Sequence, residues 1–311
     1  MYVINSRPTR VTAPGLWTLF EYGGGTSPGT QVAASGVLPP SFLSSLTDPV
    51  VILIHGYNNT EQQAYDTYWG ELSGKLSLVG NGFTGTVMGY DWPSAVDADL
   101  DPLFDVLENY QTDLISARNV GAPAFVDFLS QLKPKLPGGI RLNLMAHSMG
   151  NYVMRTMIQS SGAIMGGLSN IVSFAPDLLA NDLEIPALKT AADGLKGNWF
   201  VYWSQADAVL LASNWGNILI GGEQWGGQRL GQQGPANPPP AISTRVVAQK
   251  WDSPLAADLG SQYNTDIQEW PFSIQIHSMY WEDKDFKANV AQNLVKADVK
   301  PPLITQSWNP L

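Results

Sequence analysis

Cysteine is absent from this 311-residue chain, and histidine occurs only three times. The missing cysteines exclude disulfide bonds, thiolate catalysis and zinc or iron–sulfur sites built on cysteine. The histidines, His55, His147 and His277, form no His-x-x-x-His or Glu-x-x-His pair, so we expect neither a metal site nor a cofactor. Loops of the Gly-x-Gly-x-x-Gly or Gly-Lys-Ser/Thr type do not follow any predicted strand, which argues against nucleotide binding.

Charged side chains are also scarce. They make up 14% of the chain, whereas about a quarter is usual for a globular protein. Acidic residues outnumber basic ones by 27 to 17, which gives a net charge of −10. Because a chain this acidic repels phosphate backbones and contains no run rich in Lys and Arg, we expect no nucleic-acid partner. Attraction to anionic lipid is not expected either.

Long apolar runs are missing as well. The longest clean one, residues 50–54, is far too short to span a bilayer, so we expect no transmembrane segment. The chain begins Met-Tyr-Val-Ile-Asn-Ser-Arg-Pro, without the charged and then apolar segments of a signal peptide. The expected location is therefore the cytoplasm.

Apolar residues, at 44% of the chain, are ample for a large core. Short apolar runs alternate with helical patterns, and several runs are nearly continuous, as in parallel strands covered on both faces. This alternation predicts an α/β fold with a doubly wound, mostly parallel sheet. The predicted strands are 50–55, 85–91, 141–146, 170–174, 199–204 and 272–276, and the predicted helices are 60–78, 102–132 (kinked or divided near Pro123), 149–161 and 283–297.

Two regions depart from this alternation of strands and helices. Strand-like pieces at 2–5 and 16–22 predict an antiparallel edge added to the main sheet. Residues 211–270 are rich in Gly, Gln, Pro and Trp, and include Trp215, Trp225 and Trp251. Long irregular loops inside a domain are usually functional or disordered. We expect one domain, 1–311, in which 211–270 is a loop-rich insertion, either covering the site or packed on the surface by its own aromatics.

The segment 142–150 reads Leu-Asn-Leu-Met-Ala-His-Ser-Met-Gly, an apolar run, then a Ser, then a helical pattern. A buried strand that turns sharply into a helix presents a Ser hydroxyl at the apex of the turn. The pattern therefore predicts Ser148 as a nucleophile. Gly150 is expected because the turn leaves no room for a Cβ, and Ala146 replaces the usual first Gly, which adds one methyl group.

A Ser nucleophile needs a base, and the pKa of His lies near neutrality. His277 follows the predicted strand 272–276, and functional groups gather at the carboxyl ends of such strands, so His277 is the preferred base. His147 is a poor base for Ser148, because adjacent side chains at such a turn point apart. His55 ends the first buried strand, and we expect it to hold the loop that follows.

The acid that orients the base is expected between the nucleophile and the base, in the order Ser, Asp, His. Asp207 follows the predicted strand 199–204, and Asp177 follows 170–174. Either carboxylate could instead cap the next helical turn, which is the commonest task of an Asp there. We favour Asp207, because the acid most often sits one strand before the His, and Asp177 is the runner-up.

Backbone amides are expected to stabilise the oxyanion of the tetrahedral intermediate. One is that of Met149, directly after the nucleophile, and the other belongs to the loop after the first buried strand, where Tyr57 is the candidate. That loop reads His55-Gly56-Tyr57-Asn58-Asn59, and Gly56 and Asn58 are its expected supporting residues. The alternative is an ordinary turn, since Gly and Asn favour turns.

Taken together, these pieces resemble the α/β-hydrolase superfamily, and more narrowly a bacterial branch catalogued as a domain of unknown function with a serine-hydrolase core. The resemblance covers about residues 48–282 in preserved order. Besides the loop at His55 and the elbow at Ser148, it includes Trp92-Pro93-Ser94, Tyr110, Asp113, Ala175-Pro176-Asp177, Asp207-Ala208-Val209-Leu210, Ser213, Arg229-Leu230-Gly231 and His277-Ser278. It implies that Ser148, Asp207 and His277 form a catalytic triad. The long, Pro-rich stretch before His277 departs from the family pattern, which affects the shape of the substrate site.

The sequence thus predicts a serine hydrolase that cleaves small carboxylic esters through an acyl-enzyme. The Trp and Pro residues of 211–270 favour short to medium acyl chains. An acyltransferase, thioesterase or amidase would use the same triad, and turnover of matched ester, thioester and amide substrates separates them. A non-catalytic binding protein on the same fold is the remaining alternative, and would hydrolyse no activated ester.

Overall fold

The computed structural model describes residues 1–11, 15–22, 29–57, 59–64, 78–94, 104–205, 207, 209–210, 213, 227–251, 277, 280 and 283–295. Its strands are β1 (Tyr2–Asn5), β2 (Thr18–Glu21), β3 (Thr30–Ala34), β4 (Val50–Ile54), β5 (Thr86–Asp91), β6 (Leu142–His147), β7 (Ile171–Phe174), β8 (Trp199–Trp203) and β9 (Val246–Lys250). Its α-helices are α1 (Pro40–Ser45), α2 (Glu61–Ala64), α3 (Phe104–Ser116), α4 (Ala122–Leu132), α5 (Gly150–Ser161), α6 (Pro186–Asp193), α7 (Leu230–Gln233) and α8 (Lys284–Val295). No helix within these ranges has both the length and the apolar character needed to cross a bilayer.

The described strands form one sheet in the order β3-β2-β1-β5-β4-β6-β7-β8-β9. Strand β2 pairs antiparallel with β1 and with β3. Every other neighbouring pair is parallel. The predicted α/β class, with a mostly parallel sheet and an antiparallel N-terminal edge, is therefore confirmed.

Two edge strands, β3 and β9, are absent from the sequence prediction. In β3 only Ala33 is buried, and β9 buries only Val247 and Ala248. Edge strands pack on fewer neighbours, so their apolar pattern is short and weak. Strand β9 lies within 211–270, where no strand is predicted, and pairs with β8 from Val246 opposite Trp199. The predicted strand 272–276 lies outside the described residues.

Helices cover both faces of the sheet. Alternate strand residues point to opposite faces, so each strand contributes side chains to two separate cores. Val50, Ile52 and Ile54 of β4 belong to one core, together with side chains of α4, α5 and α6. Val51 and Leu53 belong to a second core, which includes side chains of α8. This arrangement explains why the central strands read as nearly continuous apolar runs.

The long helix predicted over 102–132 is divided, as expected near Pro123. A π-helical segment, Ala117–Gly121, separates α3 from α4, and Pro123 lies in the first turn of α4. The backbone stays helical through Gly121 and Ala122, and the wider π turn accommodates the Pro123 ring, which in a regular α-helix would clash with the carbonyl four residues before it. The Tyr90 hydroxyl donates to the carbonyl of Gly121 at 2.5 Å, which anchors the junction to β5.

The register of the parallel strands brings their carboxyl ends to one edge of the sheet. Ile54 lies opposite Tyr90 and Ala146, and His147 lies opposite Phe174. Asp91, the last residue of β5, and His55, directly after β4, therefore lie at one level, and Ser148 lies one residue further along.

Helix α5 crosses so close to β4 that its first residue must lack a side chain. A Cβ at Gly150 would lie 2.5 Å from the carbonyl oxygen of His55 and 2.7 Å from that of Ile54. We expect Gly150→Ala to lower the free energy of unfolding by at least about 1–3 kcal/mol, measured by urea denaturation. Gly138→Ala is the matched control, since a Cβ there has no neighbour within 4 Å. Equal stability of the two variants would contradict this account.

Candidate active site

Ser148 lies at a sharp turn between β6 and α5, and its backbone is in the left-handed region with φ 49°. Three backbone hydrogen bonds hold this conformation. The Ser148 N–H donates to the carbonyl of Phe174 at 3.2 Å, and the Ser148 carbonyl accepts from the N–H groups of Asn151 at 3.0 Å and Asp177 at 3.2 Å. Ala146, which replaces the usual Gly, is fully buried. The predicted strand–Ser–helix turn is thus present.

His277 and Asp207 are brought together from positions 70 residues apart, with Nδ1 of His277 2.7 Å from Oδ2 of Asp207. Both side chains are buried, and Asp207 follows β8. The other carboxylate oxygen of Asp207 accepts the N–H of Leu210 at 3.2 Å. Asp207 therefore does both things that the sequence allows: it contacts the histidine and it caps the next helical turn.

Two opposing effects act on the pKa of His277. Burial disfavours the charged ring, but the charge and hydrogen bond of Asp207, joined by the charge of Asp177, outweigh it. The pKa of His277 therefore lies above its ordinary value of 6.5. A histidine held this way keeps its proton on Nδ1 toward Asp207, which leaves Nε2 to exchange protons when the ring is neutral.

His147 connects the turn to His277. Its Nε2 lies 3.0 Å from the backbone carbonyl of His277, and the two rings are 4.7 Å apart. Because a carbonyl only accepts, Nε2 of His147 carries the hydrogen. Burial, with the nearby charges of His277 and His55, lowers the pKa of His147 well below its usual value, so the ring is neutral. His147 is a donor to the backbone of His277.

Asp177, the runner-up acid, has a different set of partners. Its carboxylate accepts the Tyr110 hydroxyl at 2.5 Å and the Ser213 hydroxyl at 2.8 Å. Nε of Arg229 lies 3.5 Å from the same carboxylate, and Arg229 is fully buried. Burial and the charge of Asp177 raise the pKa of Tyr110, which keeps the phenol protonated as a donor. The geometry favours Asp207 over Asp177 as the partner of His277.

The two expected oxyanion donors flank the turn. Met149 is buried at the N-terminus of α5, where the first N–H groups have no partner inside the helix. The loop after β4 passes directly over Ser148, since a Cβ at Gly56 would lie 2.9 Å from Cβ of Ser148. Tyr57 follows, with its ring 5.6 Å from that of Tyr110. Asn58, and the segments on either side of His277, lie outside the described residues.

His55 contacts the loop after β4, with its Nδ1 2.9 Å from the Gly56 carbonyl oxygen, and it has a second partner that was not identified from the sequence. Its Nε2 lies 3.1 Å from Oδ1 of Asp91, which is fully buried at the end of β5. Arg7 donates to the same oxygen at 2.8 Å. The position of Asp91 at a strand end is the same signal that selected Asp207. Arg7 carries no comparable signal.

Trp251 directly follows β9 and contacts the side chains of β8 and α8. Its ring packs 5.7 Å from the rings of Tyr202 and Phe286, and its Nε1 donates to Asp283 at 3.1 Å. Trp215 and Trp225 lie outside the described residues. No group of three or more His, Asp and Glu side chains in the described ranges could hold a metal ion.

The mostly parallel sheet, the antiparallel edge and the strand–Ser–helix turn define the α/β-hydrolase fold. Residues 33–279 match the sequence model of the family described as "Alpha/beta hydrolase of unknown function (DUF900)", and the chain belongs to that family. The resemblance identified from the motifs is confirmed, and the family assignment supports a hydrolase.

No curated protein matches the chain. Solved structures similar to it include Aspergillus fumigatus lipase B, at 12% identity and a TM-score of 0.38 over 94% of this chain and 72% of that one. Acetyl xylan esterase 1 from Thermoanaerobacterium sp. JW/SL YS485 is 14% identical, with a TM-score of 0.38 over 88% and 87%. Esterase B from Lactobacillus rhamnosis is 14% identical, with a TM-score of 0.32 over 94% and 89%.

The buried pair of Asp177 and Arg229 generates a stability prediction. Asp177→Ala leaves the Arg229 charge without its carboxylate, and we expect a loss of about 3–5 kcal/mol in the free energy of unfolding. The double variant Asp177→Asn, Arg229→Met removes both charges at similar volume, so it should recover part of that loss. Chemical denaturation measures both values. A double variant less stable than Asp177→Ala would contradict the ion-pair account.

Proposed function

We propose that the protein is a serine hydrolase that cleaves carboxylic esters through an acyl-enzyme. The observation that carries the proposal is the 2.7 Å contact between His277 and Asp207. This contact joins a histidine to a buried carboxylate at the edge of the sheet where the Ser148 turn lies, within a family whose fold supports a hydrolase.

In this proposal, Ser148 Oγ forms a bond to the ester carbonyl carbon and gives its proton to Nε2 of His277. The N–H groups of Met149 and Tyr57 stabilise the oxyanion. The intermediate then collapses, the bond to the leaving alcohol breaks, and His277 protonates the alcohol. Water then attacks the acyl carbon while His277 takes a proton from it. The bond to Ser148 Oγ breaks, His277 returns the proton to Oγ, and the acid is released. Asp207 fixes the ring of His277 and stabilises its charge.

The environment of His277 supports a role as base. His277 is held at two points, its ring at Nδ1 by Asp207 and its backbone carbonyl by His147. Double attachment reduces the freedom of the ring, and well-oriented groups react faster because the entropy of alignment is already lost. The proposed substrates are esters with short to medium acyl chains.

The nucleophile is tested with a fluorophosphonate probe. In wild-type protein Ser148 Oγ should bond to phosphorus and expel fluoride, and Ser148→Ala should abolish labelling. Ser160→Ala is the matched control, because Ser160 lies on the same helix α5 and its hydroxyl donates to the carbonyl of Met157. Intact-mass spectrometry measures the adduct. Labelling that persists in Ser148→Ala, or none in wild type, rejects the proposal.

The base is tested by pH dependence. His277 must be neutral to accept a proton, so kcat/KM should rise through an inflection above pH 6.5, the ordinary pKa that His277 exceeds. Asp207→Asn removes the charge that raises this pKa, so the inflection should move down and kcat should fall by about 10⁴. Asp127→Asn is the control. Asp127 lies on α4, and its carboxylate accepts hydrogen bonds from Trp17 and Gln131. An inflection that Asp207→Asn leaves in place would exclude the pair.

The same linkage acts on stability. Because the pKa of folded His277 is raised, its stabilising contribution is fully present below the unfolded pKa and is lost as the pH rises through the folded pKa. As the pH rises from 6.5 through the folded pKa of His277, the difference in free energy of unfolding between wild type and Asp207→Asn should therefore shrink. Chemical denaturation at several pH values measures this difference.

A further inference from the structure

The peptide that joins Gly56 to Tyr57 is held from its carbonyl side by three side chains. The Gly56 oxygen lies 2.9 Å from Nδ1 of His55, 3.3 Å from Nδ2 of Asn59 and 3.3 Å from Oγ of Ser94. A trans peptide is planar, with its C=O and N–H pointing in opposite directions. Fixing the Gly56 oxygen therefore fixes the direction of the Tyr57 N–H.

His55 makes the shortest of these contacts, and its own ring is held by several neighbours. Since a carbonyl only accepts, Nδ1 carries a hydrogen, and Nε2 lies 3.1 Å from Oδ1 of Asp91. The ring stacks on that of Trp92, with centroids 5.3 Å apart and an interplanar angle of 8°. Nε1 of Trp92 donates to the His55 carbonyl at 2.9 Å. The carboxylate of Asp91 is held in turn by Nε of Arg7 at 2.8 Å and Nδ2 of Asn5 at 2.9 Å.

Arg7 makes this arrangement rigid because one guanidinium reaches three separate points. Besides Asp91, its Nη1 donates to the carbonyl of Ser94 at 3.1 Å, and its Nη2 donates to the carbonyl of Asn59 at 2.6 Å. Ser94 and Asn59 are two of the residues that hold the Gly56 oxygen. The planar fork of arginine can donate in these directions at once, whereas a lysine ammonium is a compact point charge.

We propose that Asn5 and Arg7, which we call the N-terminal clamp, position the oxyanion hole by orienting the Tyr57 amide through Asp91, His55 and the Gly56 carbonyl. The clamp lies outside residues 33–279 that match the family model. In this proposal the positioning residues come from a segment outside the matched residues. The inference rests on the proposed function, because it assigns a task to the Tyr57 amide.

The clamp is tested with Arg7→Lys, which keeps the charge beside Asp91 and loses the two carbonyl contacts. We expect kcat/KM for a chromogenic ester to fall about 10–100-fold with KM within twofold, since misplacing an oxyanion donor affects the transition state. The inhibition constant of a trifluoromethyl ketone, which forms a hemiketal oxyanion with Ser148, should rise by the same factor. Arg141→Lys makes the same substitution in a pair with Asp48, at the opposite end of β4 from the site, and should leave both values unchanged.

A second variant covers the case in which Arg7→Lys does not fold. Ser94→Ala removes one donor to the Gly56 oxygen with a minimal change of volume, and should lower kcat/KM and ketone affinity by equal, smaller factors. Hydrogen–deuterium exchange of a peptide covering residues 55–60 gives a readout that needs no activity. Exchange there should be faster in Arg7→Lys, or in Ser94→Ala, than in wild type, with melting temperature measured alongside.

Each outcome decides the matter. Equal losses of kcat/KM and ketone affinity, with faster exchange at 55–60, support the clamp. Unchanged activity, a change in KM alone, a loss of activity without loss of ketone affinity, or unchanged exchange overturns it. If wild-type protein neither hydrolyses esters nor reacts with fluorophosphonate, the proposed function fails, and the exchange measurement alone then decides whether the clamp orders the loop.

Discussion

The left-handed backbone of Ser148 is the constraint on which the site depends. Such a conformation costs a non-glycine residue about 1–2 kcal/mol, so the surrounding structure must maintain it. The bonds that do so come from the end of β7, from α5 and from the loop after β7, through Phe174, Asn151 and Asp177. Ala175, next to Phe174, is also left-handed, with φ 43°. The turn therefore exists only when two strands, a helix and a neighbouring loop are all in place.

Buried charge at this edge of the sheet is distributed as separate pairs. Carboxylates follow three strands, at Asp91, Asp177 and Asp207, and each is buried. An unpaired buried carboxylate would cost several kcal/mol, and each here has its own cationic or imidazole partner. In two of these pairs the partner is a guanidinium, that of Arg7 beside Asp91 and that of Arg229 beside Asp177.

The third pair, His277 with Asp207, differs because imidazole can lose its proton near neutrality. His55 also contacts Asp91, but its Nδ1 faces the Gly56 carbonyl and its ring is stacked on Trp92. His277 has its Nδ1 on Asp207 and only its backbone carbonyl on His147. Nε2 of His277 is therefore the ring nitrogen that these contacts leave for proton transfer.

How far the sequence predicts the molecule depends on how local the signal is. Strands β4 to β8 are predictable because both of their faces are buried, whereas the half-buried edge strand β9 leaves only a weak pattern. The contact of His277 with Asp207 follows from chain order and strand ends. The bond from His147 to the His277 carbonyl joins residues 130 apart, and no local pattern predicts it. Arg229 is part of a recognisable motif, but the motif does not identify Asp177 as its partner.

Sheet order explains why an N-terminal segment can act on the site. Strand β1 pairs in parallel with β5, so the residues after β1 emerge at the same edge as those after β5 and β4. From β1 to β4 is two strand spacings, or about 10 Å. A long side chain that starts beyond β1 can therefore reach past the end of β5 to the loop after β4, as Arg7 does at Asn59. A segment added beside β9, at the opposite edge of the sheet, would lie five strand spacings from β4 and could not reach this loop.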